Sequence, residues 1–268
     1  MNPELQTAKD LALRAGEILL KHYAGELSVE WKGKNDPVTA ADRDASRFIV
    51  GELRRLFPHD AILSEEEKDD LSRIRNPRVW VIDPMDGTKE FIARRGEFAV
   101  MIGLALNGEA RVGVVYQPTE GKLYSAAPGE GAFLSRGGQT RQLQVSDTTD
   151  FSNATMALSR SHLAGTTQSV RKKLGIEHTI QTGSIGIKIG LICEAQADVY
   201  IQGRGTRLWD TCGPEAILRE AGGAMTDALG NSFRYNVAET RNLHGVIATN
   251  GALHARVIDT MRSFTPPA

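Results

Sequence analysis

A chain of 268 residues, 41% hydrophobic and 24% charged with a formal net charge of −1, has ample material for a core and none of the composition of a disordered segment. The near-zero balance argues against a polymeric nucleic acid as partner, which would call for a strongly basic face, but leaves a small anionic ligand open. Only Cys193 and Cys212 occur, without zinc-site or disulfide spacing, and no stretch reads as a membrane span or signal peptide, so a cytoplasmic protein is expected.

From Glu4 to Tyr23, apolar residues recur at Leu5, Ala8, Leu11, Ala12, Ala15, Ile18 and Leu19, which is helical spacing. A second helix is expected from about Ala40 to Leu56, with Ala41, Ala45, Phe48, Ile49, Leu53 and Leu56 on one face. Between them, Lys34 to Thr39 reads as loop and helix entry. Ala61-Ile62-Leu63 is a short apolar run that ends in Ser64-Glu65-Glu66-Glu67, and such a charge run, taken alone, is a solvated loop.

The next segment is the most informative. Trp80-Val81-Ile82 reads as a buried strand that closes on Asp83; Pro84, lacking an N–H, is expected to stop the ladder, and Gly87 to permit a tight turn. Asp83, the Met85 carbonyl, Asp86 and the Thr88 hydroxyl can then face one point. A carboxylate closing an apolar strand is costly unless it is paired or metal-bound. Oxygen-only donors suit magnesium, manganese or calcium rather than zinc. Lys89 and Glu90 read as no more than a local salt bridge.

Phe98 to Leu106 and Ala110 to Tyr116 are expected strands joined through Asn107-Gly108, and Lys122 to Ala127 and Gly131 to Ser135 extend the antiparallel meander. The polar stretch from Gly137 to Asp150 suggests a boundary between an N-terminal α+β domain, residues 1–145, and a C-terminal α/β domain, residues 146–268. Elements then alternate: strand near Thr155 to Ser159, helix near Thr167 to Leu174, strand near His178 to Gln181, helix from Ser184 to Glu194, and strand at Asp198 to Ile201. A helix after Pro214, strands near Ala224 to Thr226 and Gly245 to Thr249, and a closing helix through Leu253, Val257, Ile258 and Met261 complete the chain. Asp210, just before the Gly213-Pro214 helix start, brings a third acidic position to an element end; alone it could equally cap that helix.

Asp36-Pro-Val-Thr-Ala-Ala-Asp42, Asp83-Pro-Met-Asp-Gly-Thr-Lys-Glu-Phe91, Trp209-Asp210 and Glu220-Ala-Gly-Gly223, in this order, resemble the inositol monophosphatase superfamily, and the match covers nearly the whole chain. The Lys89-Glu90-Phe91 extension and Ser159-Arg160-Ser161-His162 resemble its 3′(2′),5′-bisphosphate nucleotidase branch, whose members remove the 3′-phosphate of 3′-phosphoadenosine 5′-phosphate. The resemblance implies a layered αβαβα sandwich of the sugar-phosphatase type. It implies that Glu65, Asp83 and the Met85 carbonyl bind one Mg²⁺, that Asp83, Asp86 and Asp210 bind a second, and that a third, weaker ion sits near Glu65, with Mn²⁺ as a substitute. Thr88, polarised by Asp42, would orient and help deprotonate the attacking water. Gly87 and Thr88 backbone amides would contact phosphate oxygens, Gly183, Ser184, Lys188 and Asp210 other parts of the substrate, and Arg160 and His162 would add positive charge near a second phosphate. Many relatives of this branch carry a Pro-Arg pair after the strand tyrosine. This chain instead has Tyr200-Ile201-Gln202-Gly203-Arg204, so that contact is either moved to Arg204 or lost.

The implied partner is a small phosphorylated metabolite, foremost adenosine 3′,5′-bisphosphate, with inositol 1-phosphate and fructose 1,6-bisphosphate as alternatives and a homodimer left open. Lithium inhibition is a further implication. A non-catalytic Mg²⁺-dependent binding protein is the alternative from another class. A haloacid-dehalogenase phosphatase is disfavoured, since its Asp-x-Asp pair is one residue closer than Asp83 and Asp86.

Overall fold

The computed structural model describes residues 2–26, 29–33, 36–160, 165–203 and 205–264. The elements in chain order are α1 (Pro3–Ala24), β1 (Val29–Gly33), β2 (Asp36–Thr39), α2 (Ala40–Leu56), β3 (Ala61–Ser64), β4 (Arg78–Asp86), α3 (Thr88–Ile92), β5 (Ala99–Leu106), β6 (Glu109–Gln117), β7 (Lys122–Ala127), β8 (Gly131–Arg136) and β9 (Gln139–Leu143). There follow β10 (Thr155–Ser159), α4 (Gly165–Leu174), β11 (His178–Thr182), α5 (Ile185–Cys193), β12 (Val199–Gln202), α6 (Cys212–Glu220), β13 (Ala224–Thr226), β14 (Val246–Thr249) and α7 (His254–Arg262). Strands β3 to β9 form one seven-stranded sheet in sequence order; β11-β10-β12-β14-β13 form a second.

The side-chain alternation of the strands builds the layers. Along β4, Trp80 and Ile82 face a core shared with α1 and α2, while Val79 and Val81 face the opposite core with α5 and α6. With both faces covered, the strand reads as one apolar run. The second core continues to Tyr200 and Val246 of the five-stranded sheet, and a third core packs α4 and α7 on that sheet's outer side. The order helix, sheet, helix, sheet, helix is the αβαβα sandwich expected from the sequence. Helix α6 lies closely on the large sheet because Gly103 and Gly113 leave no side chain in its path; a Cβ on Gly103 would stand 2.7 Å from the Gly213 nitrogen.

The hairpin at Asn107-Gly108 has positive φ at both residues, 53° and 81°, the type I′ geometry those residue types favour. Two expectations need correction. Asp36–Thr39 is a strand paired antiparallel with β1 rather than loop, and Pro84 does not stop the ladder. An additional strand, β9, lies within the polar stretch from Gly137 to Asp150 and pairs with β8. Strand β4 continues to Asp86 through a bulge, with Asp83 opposite Met101 and Asp86 opposite Ala99. A bulge tolerates a residue without a donor, because the extra residue leaves the ladder there anyway.

Beneath the start of α6 lies a buried acid. Glu215 accepts the Tyr235 hydroxyl at 2.5 Å, and burial raises its carboxyl to about 7, against the pull of that hydrogen bond and of Arg219. A folded-state value above the unfolded one means that this group's contribution is present below about pH 4.5 and is lost as pH rises through about 7. Glu215→Gln keeps an acceptor for Tyr235 and removes the charge. Chemical denaturation should find the variant about 1–3 kcal/mol more stable than the parent at pH 8, with the gap closing by pH 5.

Candidate active site

The bulge turns two carboxylates to the same end of the sheet. Met85 N–H donates to Asp83 Oδ1 at 2.9 Å, closing a local turn, and Gly87 follows at φ 102°. A Cβ there would lie 2.7 Å from the Glu97 carbonyl oxygen, so only glycine fits the turn. Helix α3 then opens at Thr88. From the neighbouring parallel strand, Glu65 N–H donates to the Ile82 carbonyl at 3.1 Å, which sets Glu65 beside Asp83. Asp210 arrives from the far half of the chain on a 3₁₀ turn, Leu208–Asp210, tied by the Arg207 N–H to Asp210 Oδ2 at 2.6 Å.

Asp83, Asp86 and Asp210 each present a carboxylate oxygen, and these lie within 4.8 Å of one another. Burial, then the mutual repulsion of neighbouring carboxylates, pushes Asp83 and Asp210 well above the usual range. Burial raises Asp86 too, opposed first by Lys188 and then by the hydrogen bond from Ser184. Three carboxylates held this close, Asp83 buried and Asp86 and Asp210 half-buried, are costly without a cation. The donor set therefore fits a hard divalent ion. Glu65 lines the same cavity but is not one of the three.

The Thr88 hydroxyl lies 3.1 Å from Asp42 Oδ1 and 3.3 Å from the Met85 carbonyl. Asp42 sits in the first turn of α2, where its Oδ2 accepts both the N–H and the hydroxyl of the N-cap Thr39, each at 2.7 Å. Burial raises the Asp42 carboxyl to about 6, despite these bonds, with the Glu66 charge adding to the rise.

Glu65, Asp86, Thr88 and Asp210 border a cavity of about 500 Å³ that is also lined by Gly87, Gly183, Ser184, Lys188, Tyr200, Gln202, Arg207 and Trp209. Lys188 is 1% exposed and donates to the Gly183 carbonyl at 3.1 Å. Burial lowers its ammonium to about 8, although Asp86, Glu90, Glu97 and Asp210 hold it up. Ser184 caps α5 from a backbone of φ 52°, ψ 130°, a region that costs a non-glycine residue about 1–3 kcal/mol.

Two sequence expectations are revised here. Arg160 does not line the cavity: Nε and Nη2 grip Glu97 at 2.9 and 2.7 Å, and Glu97 Oε2 accepts the Gly183 N–H at 2.7 Å, so the arginine braces the loop before α5. Glu90, expected only in a local pair with Lys89, is 4% exposed and packed against Gly183. His162 and Arg204 lie outside the described residues. Arg207 and Trp209 were overlooked as cavity residues, although Arg207 stands only three positions before Asp210. Arg207 Nη1 lies 3.3 Å from Thr240 Oγ1, and the guanidinium is 5.8 Å from the Trp209 ring centre.

A profile described as the inositol monophosphatase family matches residues 1–265. The chain is 37% identical over 233 residues to the 3′(2′),5′-bisphosphate nucleotidase CysQ of Escherichia coli (strain K12), covering 86% of this chain and 93% of that protein. It is 32% identical over 270 residues to the Nus factor SuhB of Salmonella typhimurium (strain 14028s / SGSC 2262), covering 98% and 97%. The crystal structure of CysQ from Bacteroides thetaiotaomicron, described as a bacterial member of the inositol monophosphatase family, superposes with a TM-score of 0.80 at 35% identity over 92% of this chain and 96% of that one.

Proposed function

The chain belongs to the inositol monophosphatase family, and from that premise we propose that it hydrolyses the 3′-phosphate of 3′-phosphoadenosine 5′-phosphate to give AMP and phosphate. That it is a metal-dependent phosphatase acting on a bisphosphate nucleotide is supported by the CysQ relatives. The observation that carries the reading is the meeting of Asp83, Asp86 and Asp210, from segments far apart in sequence, at a cavity lined by Asp86, Asp210 and Thr88, with Asp42 bonded to the Thr88 hydroxyl.

Asp83, Asp86, Asp210, Glu65 and the Met85 carbonyl would hold two Mg²⁺ ions, with Asp83 shared and a third, weaker ion near Glu65; Mn²⁺ is an equivalent hard substitute. Bound there, such ions lower the pKa of a water toward neutrality and offset charge on the departing oxygen. The remaining steps belong to the protein. Thr88, with its hydrogen directed to Asp42, offers a lone pair to the attacking water, orients it in line with the ester bond, and passes its proton toward the Asp42 carboxylate. Gly87 and Thr88 N–H groups receive the phosphate oxygens. Water oxygen bonds phosphorus as the 3′-oxygen leaves, so no aspartyl-phosphate forms.

The wall of the cavity supports a nucleotide. Trp209 supplies aromatic surface for a base, while Lys188 and Arg207 supply cations for a second phosphate. An inositol phosphate remains the competing reading, supported by the description of the family whose profile matches residues 1–265. Initial rates should rank adenosine 3′,5′-bisphosphate above inositol 1-phosphate and fructose 1,6-bisphosphate; a nucleotide slower than both would reject the branch. Arg207→Gln should lower kcat/KM for the bisphosphate about 10–100-fold and leave adenosine 3′-monophosphate, which lacks the second phosphate, nearly unchanged.

A further inference from the structure

Among the described residues, Ser184 is the one side chain in the cavity whose backbone is strained and whose hydroxyl is committed on both sides. Its φ of 52° with ψ 130° lies where L-residues are rare. The preceding Gly183 is tethered by its N–H to the Glu97 carboxylate at 2.7 Å, and it is packed so closely that a Cβ there would stand 2.8 Å from the Glu97 carbonyl oxygen. In this pose Ser184 Oγ accepts the Ile187 N–H at 3.1 Å and donates to Asp86 Oδ2 at 2.6 Å. Gly186 N–H reaches the same Oδ2 at 2.9 Å. The first turn of α5 therefore occupies one oxygen of Asp86, and Oδ1 is the oxygen left to a cation.

We infer that Ser184 is a positioning residue for the metal centre: it acts through Asp86, fixing the rotation of that carboxylate, rather than by touching substrate. The strained backbone is what allows one hydroxyl to cap a helix and hold a carboxylate from another sheet at the same time. The inference rests on the proposed role of Asp86 as a ligand, and its test separates the two.

Mn²⁺ binding to the substrate-free protein, read from the loss of the free-ion paramagnetic resonance signal, should weaken about 10-fold in Ser184→Ala and in Ser184→Gly, within the usual 10–100-fold effect of a residue that orients a ligand. Ser184→Gly also removes the backbone strain, so its melting temperature should equal or exceed that of Ser184→Ala, which guards against misfolding as the cause. Wild-type Mn²⁺ affinity in both variants, with only KM raised, would overturn the inference and return Ser184 to substrate contact. Weakened binding in Ser184→Ala alone would assign the effect to strain and overturn it too. Asp86→Asn is the reference: unchanged Mn²⁺ affinity there removes the ligand reading and the inference together, whereas a loss in Asp86→Asn with none in the Ser184 variants removes the inference alone.

Discussion

Asp210→Asn is expected to lower phosphatase activity by at least ~10²–10³-fold while the fold persists, and to raise the stability of the metal-free protein. The first effect follows from losing one of three charges aimed at a single point, where a fixed electrostatic group is commonly worth that much. The second is less obvious and more diagnostic. Without a cation, burial first and then the repulsion of neighbouring carboxylates push Asp83 and Asp210 upward in pKa. An asparagine of nearly equal shape still accepts the Arg207 N–H and removes part of that repulsion. In excess chelator the variant should melt above the parent, by about 2–4 °C for each ~1 kcal/mol relieved. In excess Mg²⁺ the order should reverse, since ligand binding stabilises only as far as the site still binds. Parallel melting curves under both conditions would mean that Asp210 is an ordinary helix-end aspartate and no ligand.

The sheet end was legible in the sequence because its signals are local. An apolar run that stops at Asp83, a proline and a glycine within four residues, and Asp86 between them specify a strand end with acids, and Gly87 at φ 102° confirms the turn. What the residues alone could not give was the path of the chain after Pro84. A missing N–H is equally compatible with an ended ladder and with a bulge, and the pairing partner, Ala99 opposite Asp86, lies in another strand. The same limit explains Arg160. As a sequence position it is a cation in a family-like segment; only the arrival of Glu97 from the loop before β5, beside the Gln181 carbonyl, shows where its guanidinium is engaged. Strand β9 escaped notice because four of its five residues are exposed and polar, leaving no alternation to read. Asp210 was ambiguous between cap and ligand because both uses put an acid before a helix. Its company, Asp83 and Asp86 within 4.8 Å, is what supports the use as a ligand.

The Thr88–Asp42 pair gives the other large effect, and its signature is non-additivity. If Thr88 acts only by handing a proton toward Asp42, removing either partner breaks the same path, and removing both costs little more. Thr88→Ala and Asp42→Asn should each lower kcat about 10²–10⁴-fold, and the double variant should fall by about the larger single loss rather than the product. Thr88→Ser, which keeps the hydroxyl, should recover most of the activity. The pH profile supplies an independent check. Asp42 must be ionised to accept, and burial holds its carboxyl at about 6. The raised folded value also means that its contribution to stability is present below about pH 3.8 and is lost as pH rises through about 6. Activity and stability should therefore move in opposite directions across that window, kcat rising with pH as the folded state gives up part of its margin. A bound cation adds positive charge nearby and shifts the limb to lower pH. In Asp42→Asn the acidic limb should disappear and the residual rate should be flat from pH 5 to 7. A multiplicative double variant with an intact acidic limb would place the base elsewhere.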